Sequence, residues 1–217
     1  MIFLTLQAIL GKILIIPAIL IAFTVHEYAH AYVADRLGDK TPKFQGRLTL
    51  NPFAHIDPVG FLMIILVGFG WAKPIETNPS AYKRGYKDDI KVSAAGVIGN
   101  LIAAVVFAFV TVLLYKIGLA SPYNGSNLQW VVWNIFDGIV QINCMLVIFN
   151  LIPIPGLDGF HILRDLYPKA FYKISGFMYQ YQLIILIVFV VFFAGYIVRI
   201  PTRMLYSAIM HLAVTII

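Results

Sequence analysis

Charge is what this chain has least of. Only 12% of its 217 residues are Asp, Glu, Lys or Arg, where soluble domains carry about a quarter. With 60% hydrophobic residues and a mean hydropathy of +0.85, that shortage excludes an ordinary soluble domain. Cys144 is the single cysteine, so no intramolecular disulfide can form. Acids are scarcer than bases, ten against sixteen, which leaves a formal charge of +6. In so apolar a chain that excess sets membrane topology and is not the signature of a nucleic-acid partner. Only two acids are glutamates, Glu27 and Glu76, so each has to be accounted for.

About twenty consecutive apolar residues are enough to cross a bilayer. Five stretches qualify as candidates: Ile2 to about Ala34, Val92 to Tyr115, Leu128 to Leu151, Leu183 to Val198, and Met204 to Ile217. The last two are short and meet at a tight Arg199-Ile200-Pro201-Thr202-Arg203 turn. A sixth stretch, Val59 to Trp71, is too short to cross, and basic residues flank it on both sides. It therefore reads as a re-entrant segment that dips in and returns. The expected fold is an all-α polytopic membrane protein, one integral-membrane domain over 1–217 with about five transmembrane helices. Basic loops put the Arg36–Arg47, Lys73–Lys91 and Arg164–Lys173 regions inside, with an external N-terminus. Arg199 and Arg203 fall on the outer side and are the one conflict. The N-terminal run lacks a basic start and a small-x-small cleavage site, so it reads as retained, not as a signal peptide.

Near the end of the first apolar stretch stands His26-Glu27-Tyr28-Ala29-His30, an HExxH pentapeptide. Two histidines four apart on a helix face the same way and can share one zinc ion. The glutamate between them can then take a proton from zinc-bound water. Such polar residues are costly inside a membrane without a purpose. A catalytic zinc needs a third protein ligand. Asp158 is a candidate, in Asn150-Leu151-Ile152-Pro153-Ile154-Pro155-Gly156-Leu157-Asp158-Gly159, where two prolines break the helix. The residues alone leave open whether Asp158 is a ligand or the N-cap of a helix over Phe160 to Tyr167. His161 competes for the same role. His55, in a turn-rich NPFAHIDP loop, suits a supporting or structural role better, and His211 reads as a satisfied polar group within the bundle.

Taken together, HEYAH on a membrane helix, NPFAHIDP, FGWAKP and NLIPIPGLDG resemble the site-2 protease family of intramembrane zinc metalloproteases. The likeness covers about Phe23 to Leu163, and is greatest to compact prokaryotic members without appended domains. It implies that His26, His30 and Asp158 bind Zn2+, that Glu27 is the catalytic base, and that Asn150 holds the substrate backbone. The helix Ser93-Ala94-Ala95-Gly96-Val97-Ile98-Gly99-Asn100 resembles the family's G-P-x-x-N segment with Val97 in place of proline. That departure weakens Asn100 as a site residue and leaves close helix packing as the safer reading.

The expected activity is hydrolysis of a peptide bond in or beside a membrane-spanning segment of a protein substrate. The expected location is a prokaryotic cell membrane, with the site nearer the cytoplasmic face. The alternative is a membrane transporter binding a divalent metal through the same residues; Glu27 discriminates, since only a protease needs it purely for chemistry. Two local expectations complete the reading. Lys43 to Leu50 (KFQGRLTL) alternates enough for a small β element that could capture substrate by strand addition. Trp71 to Lys91, with Tyr82 and Tyr86 among basic residues, suits an interfacial anchor.

Overall fold

The computed structural model describes residues 10–68, 70–123 and 125–217. It is 77% helical, and the β pairing among the described residues is a single antiparallel bridge, Ile56 to Ala72. Helix α1, Ile16–Leu37, belongs to an apolar span from Leu10 to Leu37. It ends where Gly38 takes φ 113°, a left-handed conformation that glycine adopts without strain. The expected strand over Lys43–Leu50 does not form. Asp39 accepts a bond from the Thr41 N–H (2.9 Å), Thr41–Phe44 closes one helical turn, and Gly46 turns the chain at φ 68°.

Next comes α2, Pro58–Val67, capped by the Asp57 carboxylate on the Gly60 N–H at 2.8 Å and stopped by Gly68. The chain then doubles back. A Cβ on Gly60 would lie 2.2 Å from the Trp71 carbonyl oxygen, and one on Gly70 would lie 2.0 Å from that of Gly60. The two glycines thus let the limbs touch, and the Lys73 N–H donates to His55 O at 2.9 Å to close the base. Both ends of the Val59–Trp71 stretch return to the same place.

Two long helices follow, α3 (Tyr86–Lys116) and α4 (Asn127–Asn150); the Ser126–Gln129 capping box starts the second. Then come α5 (Asp158–Leu166), α6 (Pro168–Gln180), α7 (Gln182–Ile197, with a π turn at Phe189–Phe193) and α8 (Arg199–Ile216). Among the described residues, three helices are long and apolar enough to cross a membrane: the one ending in α1, then α3 and α4. The α6–α7 pair, bent by 83°, adds a fourth if it counts as one span. The expected count of about five is not confirmed among the described residues, since Arg199, Thr202, Arg203 and His211 dilute the apolar character of α8. The expected turn at Arg199–Arg203 is helical: Pro201 sits in the first turn of α8, where a missing N–H costs nothing.

Small residues set the core. Ala104, Ala108 and Val112 of α3 meet Val140 and Cys144 of α4 and Ile209 and Ala213 of α8, all buried. Tyr82, expected at an interface, is buried against Ala34 and Val92 instead.

Candidate metal centre

HExxH lies on α1 where α3 presses against it. The contact depends on the small residues of the SAAGVIGN stretch. A Cβ on Gly96 would stand 2.3 Å from His30 Nε2 and 2.5 Å from His26 Cε1, and one on Gly99 would stand 2.9 Å from the Ala29 Cβ. No larger side chain leaves room for both imidazoles. On the other side, Asn150 ends α4 and the Pro153–Gly156 turn leads into α5. Gly159 lets that turn close, since a Cβ there would lie 2.3 Å from Leu151 O. Helix α5 begins at Asp158 itself, and the Asp158 side chain makes no capping bond, which removes the N-cap reading.

These elements bring His26, His30 and Asp158 together. His26 Nε2 is 3.4 Å from Asp158 Oδ2, His30 Nε2 is 3.3 Å from Asp158 Oδ1, and the two Nε2 atoms are 3.1 Å apart. The rings meet edge to face, with centroids 4.6 Å apart. Both histidines are buried, each 7% exposed. His30 Nδ1 lies 2.7 Å from Val92 O, a pure acceptor, so Nδ1 carries a proton and Nε2 is the nitrogen turned toward Asp158. His26 Nδ1 lies 2.7 Å from Asn100 Oδ1. Asn100 Nδ2 donates to Ala22 O (3.0 Å) and Asn143 Oδ1 (2.8 Å), and Asn143 Nδ2 donates to Ile139 O (2.8 Å). Fixed carbonyls thus orient both amides, and Asn100 offers His26 an acceptor. Asp158 Oδ2 is buried with no hydrogen-bond partner.

A carboxylate and two imidazole nitrogens turned on one another favour positive charge between them, such as a bound cation. Tetrahedral ligands about 2 Å from zinc are themselves about 3.3 Å apart, close to the 3.1–3.4 Å separations here. Two imidazoles and one carboxylate are also the donor set of catalytic zinc, with one position left over. The residues fit that ion.

Glu27 is buried beside the cluster and is not one of the three converging groups. Its Oε2 accepts the Ile75 N–H at 2.9 Å. Ile75 lies on an extended strap after the α2 hairpin, held by the buried Arg47 guanidinium on the carbonyls of Lys73 and Pro74 (the latter at 2.9 Å). His55 stays out of the cluster: its Nε2 donates to Thr49 O at 2.7 Å, and its backbone carbonyl anchors the strap. Burial, reinforced by Arg47 and opposed by the Thr49 bond, holds the His55 pKa below its usual value, so the ring stays neutral. His161 is likewise outside the cluster, its Nδ1 accepting from Arg164 at 3.2 Å. Asn150 lines the cavity, but its Nδ2 donates to Leu146 O of its own helix at 3.1 Å. The same cavity, about 1720 Å³, also receives Glu27, His26, His30 and Asp158.

The model of peptidase family M50 matches residues 14–195. This chain belongs to peptidase family M50. It is 42% identical over 159 residues to "Putative zinc metalloprotease YwhC" of Bacillus subtilis, covering 72% of this chain and 70% of that protein. It is 31% identical over 157 residues to "Putative zinc metalloprotease Rip2" of Mycolicibacterium smegmatis, covering 70% of this chain and 56% of the relative. The Rip2 protein of Mycobacterium tuberculosis is 28% identical over the same length. No solved structure matches. Family membership bears out the likeness to site-2 proteases seen in the motifs. Asn100 is the residue that sequence reasoning undervalued; its signal was a lone amide among small residues on an apolar helix.

Proposed function

We propose that this M50 zinc metalloprotease hydrolyses a peptide bond within or next to a membrane-spanning segment of a protein substrate. His26, His30 and Asp158 hold the zinc, and Glu27 is the general base. The observation that carries the reading is the convergence of those three side chains, from two distant segments, on one point inside a bundle of apolar helices. When bound, zinc supplies Lewis acidity, making water easier to deprotonate and stabilising negative charge at the scissile carbonyl. The Ile75 N–H holds one oxygen of the Glu27 carboxylate and leaves the other to accept the proton of the attacking water. As the C–N bond breaks, Glu27 returns that proton to the leaving amine. Asn100 and the Val92 carbonyl hold the two imidazoles in the Nε2-ligating tautomer. The Asn150 amide oxygen is free to meet a substrate N–H in the cavity.

The Val59–Trp71 hairpin is read as re-entrant and the whole chain as a single domain. The site lies toward the cytoplasmic face, where the basic Lys43–Arg47, Lys73–Lys91 and Arg164–Lys173 segments gather. Glu27 standing outside the ligand set favours chemistry over metal transport. The test is cleavage of a panel of single-span proteins by wild type and Glu27→Gln in detergent or proteoliposomes. The expected result is that wild type cuts and Glu27→Gln keeps its zinc but does not cut. Equal cleavage by both would remove the mechanism.

A further inference from the structure

The cavity that holds the metal cluster is charged very differently at its far end. Helix α8 turns Arg199, Thr202, Arg203 and Tyr206 into it, positions i, i+3, i+4 and i+7 of one helical face. Lys12 lines the same cavity from the start of the first span. Helix register brings the three cations to one level. The Gly138 backbone of α4 packs on Ala18, a Cβ there falling 3.7 Å from the Ala18 Cβ, and Asn100 ties Ala22 to Asn143. The first span and α4 therefore run side by side in the same direction. Helix α8 runs with them: Tyr206 Oη donates to Asp137 Oδ1 at 2.5 Å, and Ile209 and Ala213 pack on Val140 and Cys144. Stepping back along each helix sets Lys12 opposite the region of residue 132, with Arg199 and Arg203 on either side of that level.

None of the three takes part in an ion pair among the described residues. The remaining residues, 1–9, 69 and 124, include no acid. The nearest acid by register, Asp137, is already bonded to Tyr206 and to Gln141 Nε2 at 2.6 Å. Thr202 Oγ1 is buried in the same wall without a hydrogen-bond partner. The acids that line the cavity, Glu27, Asp89 and Asp158, belong to its other end. Lys12 precedes His26 by fourteen residues, about 21 Å along a helix at 1.5 Å per residue.

We propose that Lys12, Arg199 and Arg203 form a specificity subsite for an acidic side chain of the substrate, about 21 Å from the bond that is cut. The proposal rests on the peptidase reading above. In a helical substrate that distance is about fourteen residues from the scissile bond. Cations that merely anchored the protein to lipid phosphates would face outward from the bundle, whereas these share the cavity of the metal cluster. Charge complementarity of this kind selects partners and fixes register.

The experiment uses full-length protein in phosphatidylcholine vesicles with single-span substrates that share one cleavage region. An Asp pair or a Lys pair is moved stepwise along the segment on the Lys12 side of the cut. Wild type should cleave the Asp-pair substrate about tenfold better in kcat/KM, mainly through KM, with an optimum near fourteen residues. Lys12→Gln should weaken that preference, and Arg203→Glu should reverse it. Photo-crosslinking to Glu27→Gln should show the same Asp-over-Lys order with no turnover. Equal handling of both pairs by wild type, in cleavage and in crosslinking, would overturn the subsite. So would a loss on mutation that is the same for every substrate and follows the anionic-lipid content of the vesicle, which marks a headgroup site. A wild type that crosslinks with charge preference yet never cleaves would count against the peptidase reading and leave the subsite standing.

Discussion

The two ends of the cavity are built on opposite terms. At the metal end the histidines and their supports are locked: both imidazoles are held through Nδ1, two amides are fixed by carbonyls, and glycines remove the atoms that would obstruct contact. At the far end the cations of Lys12, Arg199 and Arg203 are exposed; Lys12 Nζ donates to Leu66 O at 3.3 Å, and the described residues offer the three no carboxylate. A site that performs one reaction gains from preorganised groups, because ordering them during the reaction adds to the barrier. A surface that accepts varied segments gains from long, mobile side chains.

The largest effect tests the locked end. His26→Ala or Asp158→Ala should abolish both zinc retention and peptide cleavage, read by metal analysis beside an activity assay. Glu27→Gln should lower kcat by about 10²–10⁴-fold, the usual contribution of a general base, while zinc content stays unchanged. Gly96→Ala pushes a methyl group into the space of the His30 and His26 rings. It should destabilise the protein by about 1–3 kcal/mol and lower its metal content, read by thermal unfolding with and without zinc. Asn100→Leu should weaken zinc about 10–100-fold in chelator competition, the usual effect of removing the partner of a ligating histidine. Asn143→Leu should cost less, because Ala22 O alone still orients the Asn100 amide, and Asn100→Asp should restore much of the affinity by keeping an acceptor for His26. If Asn143→Leu proved worse than Asn100→Leu, the order of the relay would be wrong. The smallest effect lies at the open end, where charge reversal at Arg203 should change substrate preference about tenfold and leave zinc untouched.

The difference between the ends also decided what could be read from the chain. HExxH is a short, local pattern that picked out His26, Glu27 and His30, whereas Asp158 was singled out through the family resemblance; the structure brings His26, His30 and Asp158 together. The Val59–Trp71 stretch was legible as too short to cross, and it doubles back on itself in the structure. Asn100 was not, because its role depends on which carbonyls face it from α1 and α4, a property of register across two helix interfaces. The possible β element over Lys43–Leu50 does not form, because alternation over eight residues is weak beside the Thr41–Phe44 helical turn and a left-handed Gly46. The expected fifth span is not confirmed at α8, whose Arg199, Thr202, Arg203 and Tyr206 line the cavity. The cations there looked like a topology conflict; they line a cavity that sequence spacing does not reveal.

Zinc content of the purified, full-length protein tests the central claim most directly. Wild type and Glu27→Gln should each carry about one zinc per chain, and Asp158→Ala should carry almost none at matched folding. Full zinc occupancy in Asp158→Ala would contradict the account, because the metal would then be held without the residue that closes the site.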